Sequence, residues 1–474
     1  MKKFAILAAL VMVAAATVPA SASVQTIKIS GAIDNHYIYR SNFDFGAHTS
    51  SDDFHSVGLT QTQLHVDADL TDNVSATVGL INERVWGDAD GTNDGVSLYL
   101  AYVTLREMLY SPLTVVAGRQ SFAYGNSFIV DSAGINNVAP SSSGISSVAA
   151  DFTKQTTLDA VRAIFDYNPL TLEFVYASLD SNKVTLSTNN DNIDLYGVNS
   201  TYELGDEMGT EVEAYFFARI DRDYNADDNT TSLASKSDTL YVPGLRASTS
   251  PYEGLNVQGE FAWQRGNKVI TTSQTNGNAE REAFAVQLIS TYSLPVLEEY
   301  NPMLQYVFTH VSGDSNPTDV QDGSNAPASG TKWTGWDPLL ENQGAGQIWN
   351  SLFNLTNANI HHVKVSANPM EDVTASFLWT GIWLDKDINC ASSGLSTCST
   401  QLLLVQPDGD TTTLPVVNND SNELGYEIDA MVTYDYTEDV QFGASLGWFV
   451  PGDVFASANE QTAFQALFNG NVNF

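Results

Sequence analysis

The sequence predicts an all-β chain, a transmembrane antiparallel β-barrel of about eighteen strands. Three observations predict it. Polar and apolar residues alternate with a period of two from one end of the chain to the other. The connections between the alternating segments are by turns short and long. Beyond the N-terminal segment, no stretch offers the roughly 18 uninterrupted apolar residues of a membrane helix.

The N-terminal segment reads as an export signal. Lys2 and Lys3 precede an apolar run from Phe4 to Ala16, then Val18-Pro19-Ala20-Ser21-Ala22. A charged n-region, a short h-region and a small-x-small site place the cut after Ala22. Residues 23–474 are then a single outer-membrane barrel domain.

The alternation is clearest in three segments. From Glu211 to Asp223, the apolar face carries Val212, Ala214, Phe216, Ala218 and Ile220, while Glu211, Glu213, Arg219 and Asp221 share the other. From Leu424 to Tyr436, one face is apolar or aromatic and the other holds Glu427, Asp429, Thr433 and Asp435. Val373 to Trp383 repeats the pattern with Ala375, Phe377 and Trp379. A helix, with its 3.6-residue period, would scramble these faces. The same reading gives strands at 27–40, 57–70, 74–86, 96–109, 113–125, 156–167, 170–180, 192–204 and 211–223. It continues with 238–249, 255–265, 280–293, 301–312, 358–368, 373–384, 423–436, 440–450 and 462–474.

Short connections such as Thr71-Asp72-Asn73, Asn168-Pro169 and Thr437-Glu438-Asp439 alternate with long ones such as 41–56, 126–155, 313–357 and 385–422. Outer-membrane barrels have short periplasmic turns and long extracellular loops. An even strand count leaves both ends in the periplasm. The last strand puts Phe464, Ala466, Phe468, Gly470, Val472 and Phe474 on one face. A terminal aromatic on such a strand resembles the signal read by the outer-membrane assembly machinery.

Composition agrees with strands. The chain holds 20 Tyr, 22 Phe and 33 Gly, and its mean hydropathy is −0.13, as expected when lipid-facing and lumen-facing residues alternate. A net charge of −36 excludes nucleic acid as a partner, because phosphate binding needs the opposite sign. An aromatic content of 11% argues against disorder.

The apolar parity should face outer-membrane lipid, with Tyr37, Tyr39, Tyr176, Trp263, Tyr292, Tyr306, Trp383, Tyr434 and Trp448 in aromatic girdles. The polar parity should line the lumen: Lys28, Asp34, Arg40, His65, Asp67, Glu173, Glu213, Arg219, Arg246, Glu260, Gln287, Lys364, Glu427, Asp429 and Asp435. An Arg or Lys facing lipid at the bilayer midplane costs roughly 2–4 kcal/mol. Parity leaves Arg119, Gln120, Asp159 and Arg162 unassigned. Within loop 313–357, Trp333, Trp336, Leu339, Leu340, Ile348 and Trp349 are too apolar for a fully solvated loop. They predict a lid over the barrel or a surface that meets a partner, and the lid is the favoured reading.

Cys390 and Cys398, close together in an exported chain, predict one small disulfide closing a loop. No metal site is expected. The one weak Ca²⁺ pattern, Asp88, Asp90, Asn93 and Asp94, lacks the distal bidentate Glu of an EF-hand and reads as a solvated hairpin loop. His361 and His362 are adjacent, so they point to opposite faces of a strand. No nucleophile elbow, phosphate loop or haem-attachment motif occurs. The chain is therefore not expected to be an enzyme or to carry a cofactor.

Ala101-Tyr102, Gly118-Arg119-Gln120 with Tyr124-Gly125, and Leu158-Asp159-Ala160-Val161-Arg162 resemble the alginate export family of outer-membrane proteins. Trp336-Asp337-Pro338-Leu339, followed by Asn354-Leu355, resembles that family's late extracellular loop. The resemblance runs from about Ile27 to Phe474. It implies an eighteen-stranded monomeric barrel through which an anionic polysaccharide leaves the periplasm, with loops restricting the pore. It also implies that Arg119 and Arg162 line that pore. Periodicity adds Arg219, Arg246 and Lys364, mixed with Glu173, Glu213, Glu260, Glu427, Asp429 and Asp435. The functional expectation is an outer-membrane channel for small solutes or polysaccharide. The alternative is a scaffold barrel, sheathing a partner or acting as an adhesin, without open-pore transport.

Overall fold

The computed structural model describes residues 25–46, 54–87, 95–110, 112–132, 147–180, 193–222, 237–271, 276–314, 332–342, 346–387 and 421–474, apart from 456 and 458. The expected export signal (residues 1–22), Cys390, Cys398, Asp88, Asp90, Asn93 and Asp94 lie outside the described residues.

Eighteen long strands form one antiparallel sheet. They are β1 (Thr26–Ser41), β2 (Phe54–Thr71), β3 (Val74–Val85), β4 (Ser97–Leu105), β5 (Leu113–Gln120) and β6 (Leu158–Asp166). Next come β7 (Leu170–Asp180), β8 (Ile193–Glu203), β9 (Glu211–Asp221), β10 (Asp238–Tyr252), β11 (Leu255–Thr271) and β12 (Asn276–Ser293). The last six are β13 (Met303–Val311), β14 (Ala358–Met370), β15 (Val373–Leu384), β16 (Glu423–Asp435), β17 (Val440–Pro451) and β18 (Ala463–Asn473). Each strand pairs with its chain neighbour, and β18 returns to β1, from Ala32 opposite Asn473 to Ser41 opposite Phe464. Backbone bonds exchanged by Gly31 and Phe474, at 2.8 and 3.0 Å, lock that seam. Among the described residues, closure leaves none of the eighteen strands at a free sheet edge, which is what the hydrocarbon interior demands of a spanning sheet.

The strands follow from the alternation. Ile27, Leu64, Phe174, Phe216, Leu288, Val365, Phe377 and Phe442 are exposed on the outside, where lipid is the solvent. The opposite parity buries polar side chains such as Asp34, Gln61, Glu83, Glu213, Gln264, Gln287 and Thr380. Polar residues inside and apolar residues outside is the inverse of a water-soluble barrel.

The structure adds three features to the sequence reading. Strands β11 and β12 run on to Thr271 and Asn276 and keep their register to the end, so the segment expected as loop 266–279 is mostly an extended hairpin. A two-residue strand, Lys332–Trp333, pairs in parallel with β12 at Glu280 and Arg281. A six-residue helix, α1 (Gln347–Leu352), interrupts the segment before β14.

Candidate functional site: a plugged lumen

The long connections do not all stay outside. Segments 122–132, 147–157, 334–342 and 346–357 turn into the outer half of the barrel, as their wall contacts show. Val130 bridges to Leu340 in parallel, and the Asp131 amide donates to the Leu340 carbonyl at 2.6 Å. Phe128 stacks on Trp336 with ring centroids 6.4 Å apart. Trp336, Leu339, Leu340, Ile348 and Trp349 are all buried, while Trp333 packs on Ala279. The apolar cluster in this loop is thus a lid folded inward.

Three sectors of wall hold the plug. On β9–β12, Asp337 enters a cradle of cations. Its carboxylate accepts from Lys268 at 2.9 Å, pairs closely with Arg281, and lies 3.6 Å from Arg219. Asp238 shares the cradle, 2.6 Å from Arg281 and 3.6 Å from Arg219. Gln264 grips the same residue by its backbone, donating to the Asp337 carbonyl at 2.6 Å and accepting from its amide at 2.9 Å. Burial opposes the charge on Asp337, but Lys268, Arg281 and Arg219 outweigh it and hold the carboxyl well below the usual carboxylate range.

On β16, Glu427 accepts the backbone N–H groups of Ile348 and Trp349 at 2.7 and 2.9 Å. These are unsatisfied amides of the first turn of α1. Gly346 makes the approach possible, since a Cβ there would lie 2.3 Å from the Glu427 carboxyl carbon. Behind the helix, Phe353 packs against Phe45, Phe449 and Phe455. On β1–β3, Arg40 makes a bidentate pair with Asp151 at 2.6 and 3.1 Å and reaches Ser351 at 3.1 Å. Glu83 accepts from Gln61, Thr153, Gln155 and the Lys154 amide at 2.6–2.8 Å.

Most of the sequence-predicted residues face this lumen. Arg162 pairs with Glu173 at 2.5 Å, and the Tyr124 hydroxyl donates to the same carboxylate. Arg246 meets Glu211 at 2.8 Å and Glu213 at 3.3 Å, while Glu260 accepts from the Tyr215 hydroxyl at 2.7 Å. Arg219 belongs to the Asp337 cradle. Glu427 and Asp429 are both fully buried, whereas Asp435 lies at the periplasmic end and accepts from Gln441 at 2.7 Å. Lys364 faces inward opposite Gln305 and has no ion pair among the described residues.

Arg119 is different. It sits directly across from Asp159, on the parity of the exposed Val161, and pairs with that carboxylate at 2.7 Å. The two side chains are 43% and 57% exposed on the outer surface. The expectation that Arg119 lines the pore is therefore corrected. Strand parity sends Gln120 and Arg162 inward and Arg119 and Asp159 outward.

Asp337, Lys268, Arg281, Gln264 and Gly346 were missed by sequence reasoning. A lone loop acid and a loop glycine carry no period. The only available signal was an acid inside an apolar loop cluster, Trp336-Asp337-Pro338-Leu339.

Beneath the plug remains a cavity of about 440 Å³. Asn126, Ser127, Gln258, Thr291, Gln305 and His362 supply its polar wall. Lys364, across the strand pair from Gln305, stands at its periplasmic edge.

A family model described as alginate export matches residues 27–468. The chain belongs to the alginate export family. No curated protein matches it. Among solved structures, OpdQ of Pseudomonas aeruginosa is similar with a TM-score of 0.53 at 13% identity, covering 95% of this chain and 99% of its own. OccK3 (OpdO) of Pseudomonas aeruginosa gives 0.53 at 10% identity over 96% and 97%. OccD3 (OpdP) of the same organism gives 0.51 at 10% over 96% and 92%. These likenesses concern the fold. This alginate export family member is an integral outer-membrane channel for solute or polysaccharide passage, and family and fold both point to a channel rather than an enzyme.

Proposed function

We propose that this family member is a gated passive channel for small polar solutes, closed by its own loops and opened when segment 334–357 leaves the outer lumen. The observation that carries the reading is the clamp on Asp337. One loop carboxylate is held by three wall cations and, through its backbone, by a wall glutamine. In this reading, Arg162 with Glu173 and Arg246 with Glu213 line the passage as neutralised pairs, Glu260 is held by the Tyr215 hydroxyl, and Lys364 is a cation without an ion pair among the described residues. An extended polyanion would meet a wall whose bases are already engaged by acids, which favours small solutes over a polymer. A lumen filled by the chain's own loops also disfavours a sheath around a partner.

The rest of the reading follows the sequence. Residues 1–22 are removed on export, the barrel works as a monomer without catalysis, and Phe474 is presented to the assembly machinery. Planar-bilayer recording tests the gate. Deleting 334–342 should raise the single-channel conductance several-fold over the intact protein, and equal conductance in the two would defeat the proposal.

A further inference from the structure

The outer surface of the barrel is not uniform at its extracellular rim. On β5–β8, a transverse row of polar residues faces outward, where the lipid-facing parity is otherwise apolar. Arg119 stands opposite Asp159, Asp159 opposite Ser178, and Ser178 opposite Asp194. Tyr176 on β7 and Tyr196 on β8, opposite each other, donate to Asp194, and Arg222 pairs with it from the end of β9. Farther round, Arg265 and Lys332 share Glu282. Lys332 takes the close contact, leaving the Arg265 guanidinium 3.9 Å away. On the opposite side, the outward positions at this level are aromatic: Tyr39, Trp383, Tyr426, Trp448 and Phe464.

The placement sets the chemistry. Arg119 and Arg222 lie at the outer ends of β5 and β9, Arg265 stands opposite Tyr241 near the outer end of β10, and Lys332 is on the short strand beside β12; this is the headgroup level of the outer leaflet. There an outward Arg or Lys costs about 0–1 kcal/mol, against roughly 2–4 at the midplane. The pairing leaves donors free. Asp194 is covered while Arg222 is partly open, Arg119 and Lys332 are about half exposed, and Arg265 reaches only the Gln264 carbonyl at 3.4 Å, with Glu282 3.9 Å away. A planar guanidinium with unused N–H groups at a membrane surface matches phosphate oxygens.

We propose that the β5–β12 side of the rim binds the phosphate groups of a phosphorylated glycolipid in the outer leaflet, while the aromatic side holds the barrel at the same depth without headgroup selectivity. The arrangement fixes which side of the barrel faces tightly held lipid. It is independent of what passes through the lumen.

Native mass spectrometry of the full barrel released from nanodiscs tests this. The probes are a diphosphorylated glucosamine-disaccharide lipid and the same lipid after dephosphorylation. The intact protein should retain the phosphorylated form about tenfold better. The triple variant Arg119→Gln, Arg265→Gln, Lys332→Gln should lose that preference. Heat-modifiable gel migration reports that the barrel is folded. If the triple variant does not fold, the double variant Arg265→Gln, Lys332→Gln should lose part of the same preference. Equal retention of both lipids by the intact protein, or an undiminished preference in a folded variant, overturns the proposal.

Discussion

The plug is fastened at two ends by different physics. At Asp337 the contact is ionic: one carboxylate against Lys268, Arg281 and Arg219, with Gln264 on its backbone. At α1 the contact is chiefly apolar, with Phe353 among Phe45, Phe449 and Phe455 and with Ile348 and Trp349 buried. Burying an aromatic or aliphatic side chain is worth about 1.5–3 kcal/mol without demanding an angle. A desolvated ion pair gains little net energy but penalises any misplacement. The comparison teaches a division of labour: the apolar end supplies the holding energy and the ionic end supplies the register.

The largest expected effect breaks the apolar end. Phe353→Ala should destabilise the docked plug by about 3–5 kcal/mol through lost burial and a cavity, seen as a sharp rise in open probability in bilayer recordings. Asp337→Asn comes next, at roughly 2 kcal/mol, below the value for fully buried pairs because the carboxylate is partly solvated. It leaves Lys268 without its counter-ion and Arg281 with Asp238 alone, so the channel should gate noisily and turn more anion-selective. If reversal potentials do not move, the ionic end is not the register.

Glu427→Gln should cost about 1 kcal/mol, since its one amide oxygen can accept only one of the two N–H groups that the two carboxyl oxygens hold. Gly346→Val at the same contact should cost more than Glu427→Gln, because it drives a side chain into the carboxylate. The reverse order would show that the helix is not seated by this acid. The smallest effect concerns pH. The carboxyl of Asp337 is depressed, so its contribution is present above its ordinary value of about 3.9 and is lost only as pH falls through the lower folded value. Between about pH 5 and pH 7 the Asp337 anchor should therefore give no change in gating, and titration of open probability checks this.

The two ends also differ in how far they could be read from sequence. The barrel was legible because alternation repeats along most of the strands, and Glu427 was legible because it lies on a strand of known parity. The apolar end was legible as a cluster too greasy for water, from Trp336 to Trp349. Its ionic counterpart was not. Lys268 sits on a stretch of β11 that rises beyond the expected strand, where no turn signal revealed that pairing continues, and Arg281 is only the second residue of its expected strand. Arg119 was misplaced for a related reason. Near a strand end, one residue of parity separates a lumen position from a rim position, and only the register with Asp159 decides between them.

The bridge between Val130 and Leu340 has a consequence for assembly. It joins two segments from distant parts of the chain, each anchored to its own sector of wall, so their ends are brought together only when the strands between them are paired. Loop-closure entropy makes such a contact late. The barrel should close as an open tube first and stopper itself afterwards, so a freshly inserted molecule leaks briefly before it becomes a regulated door.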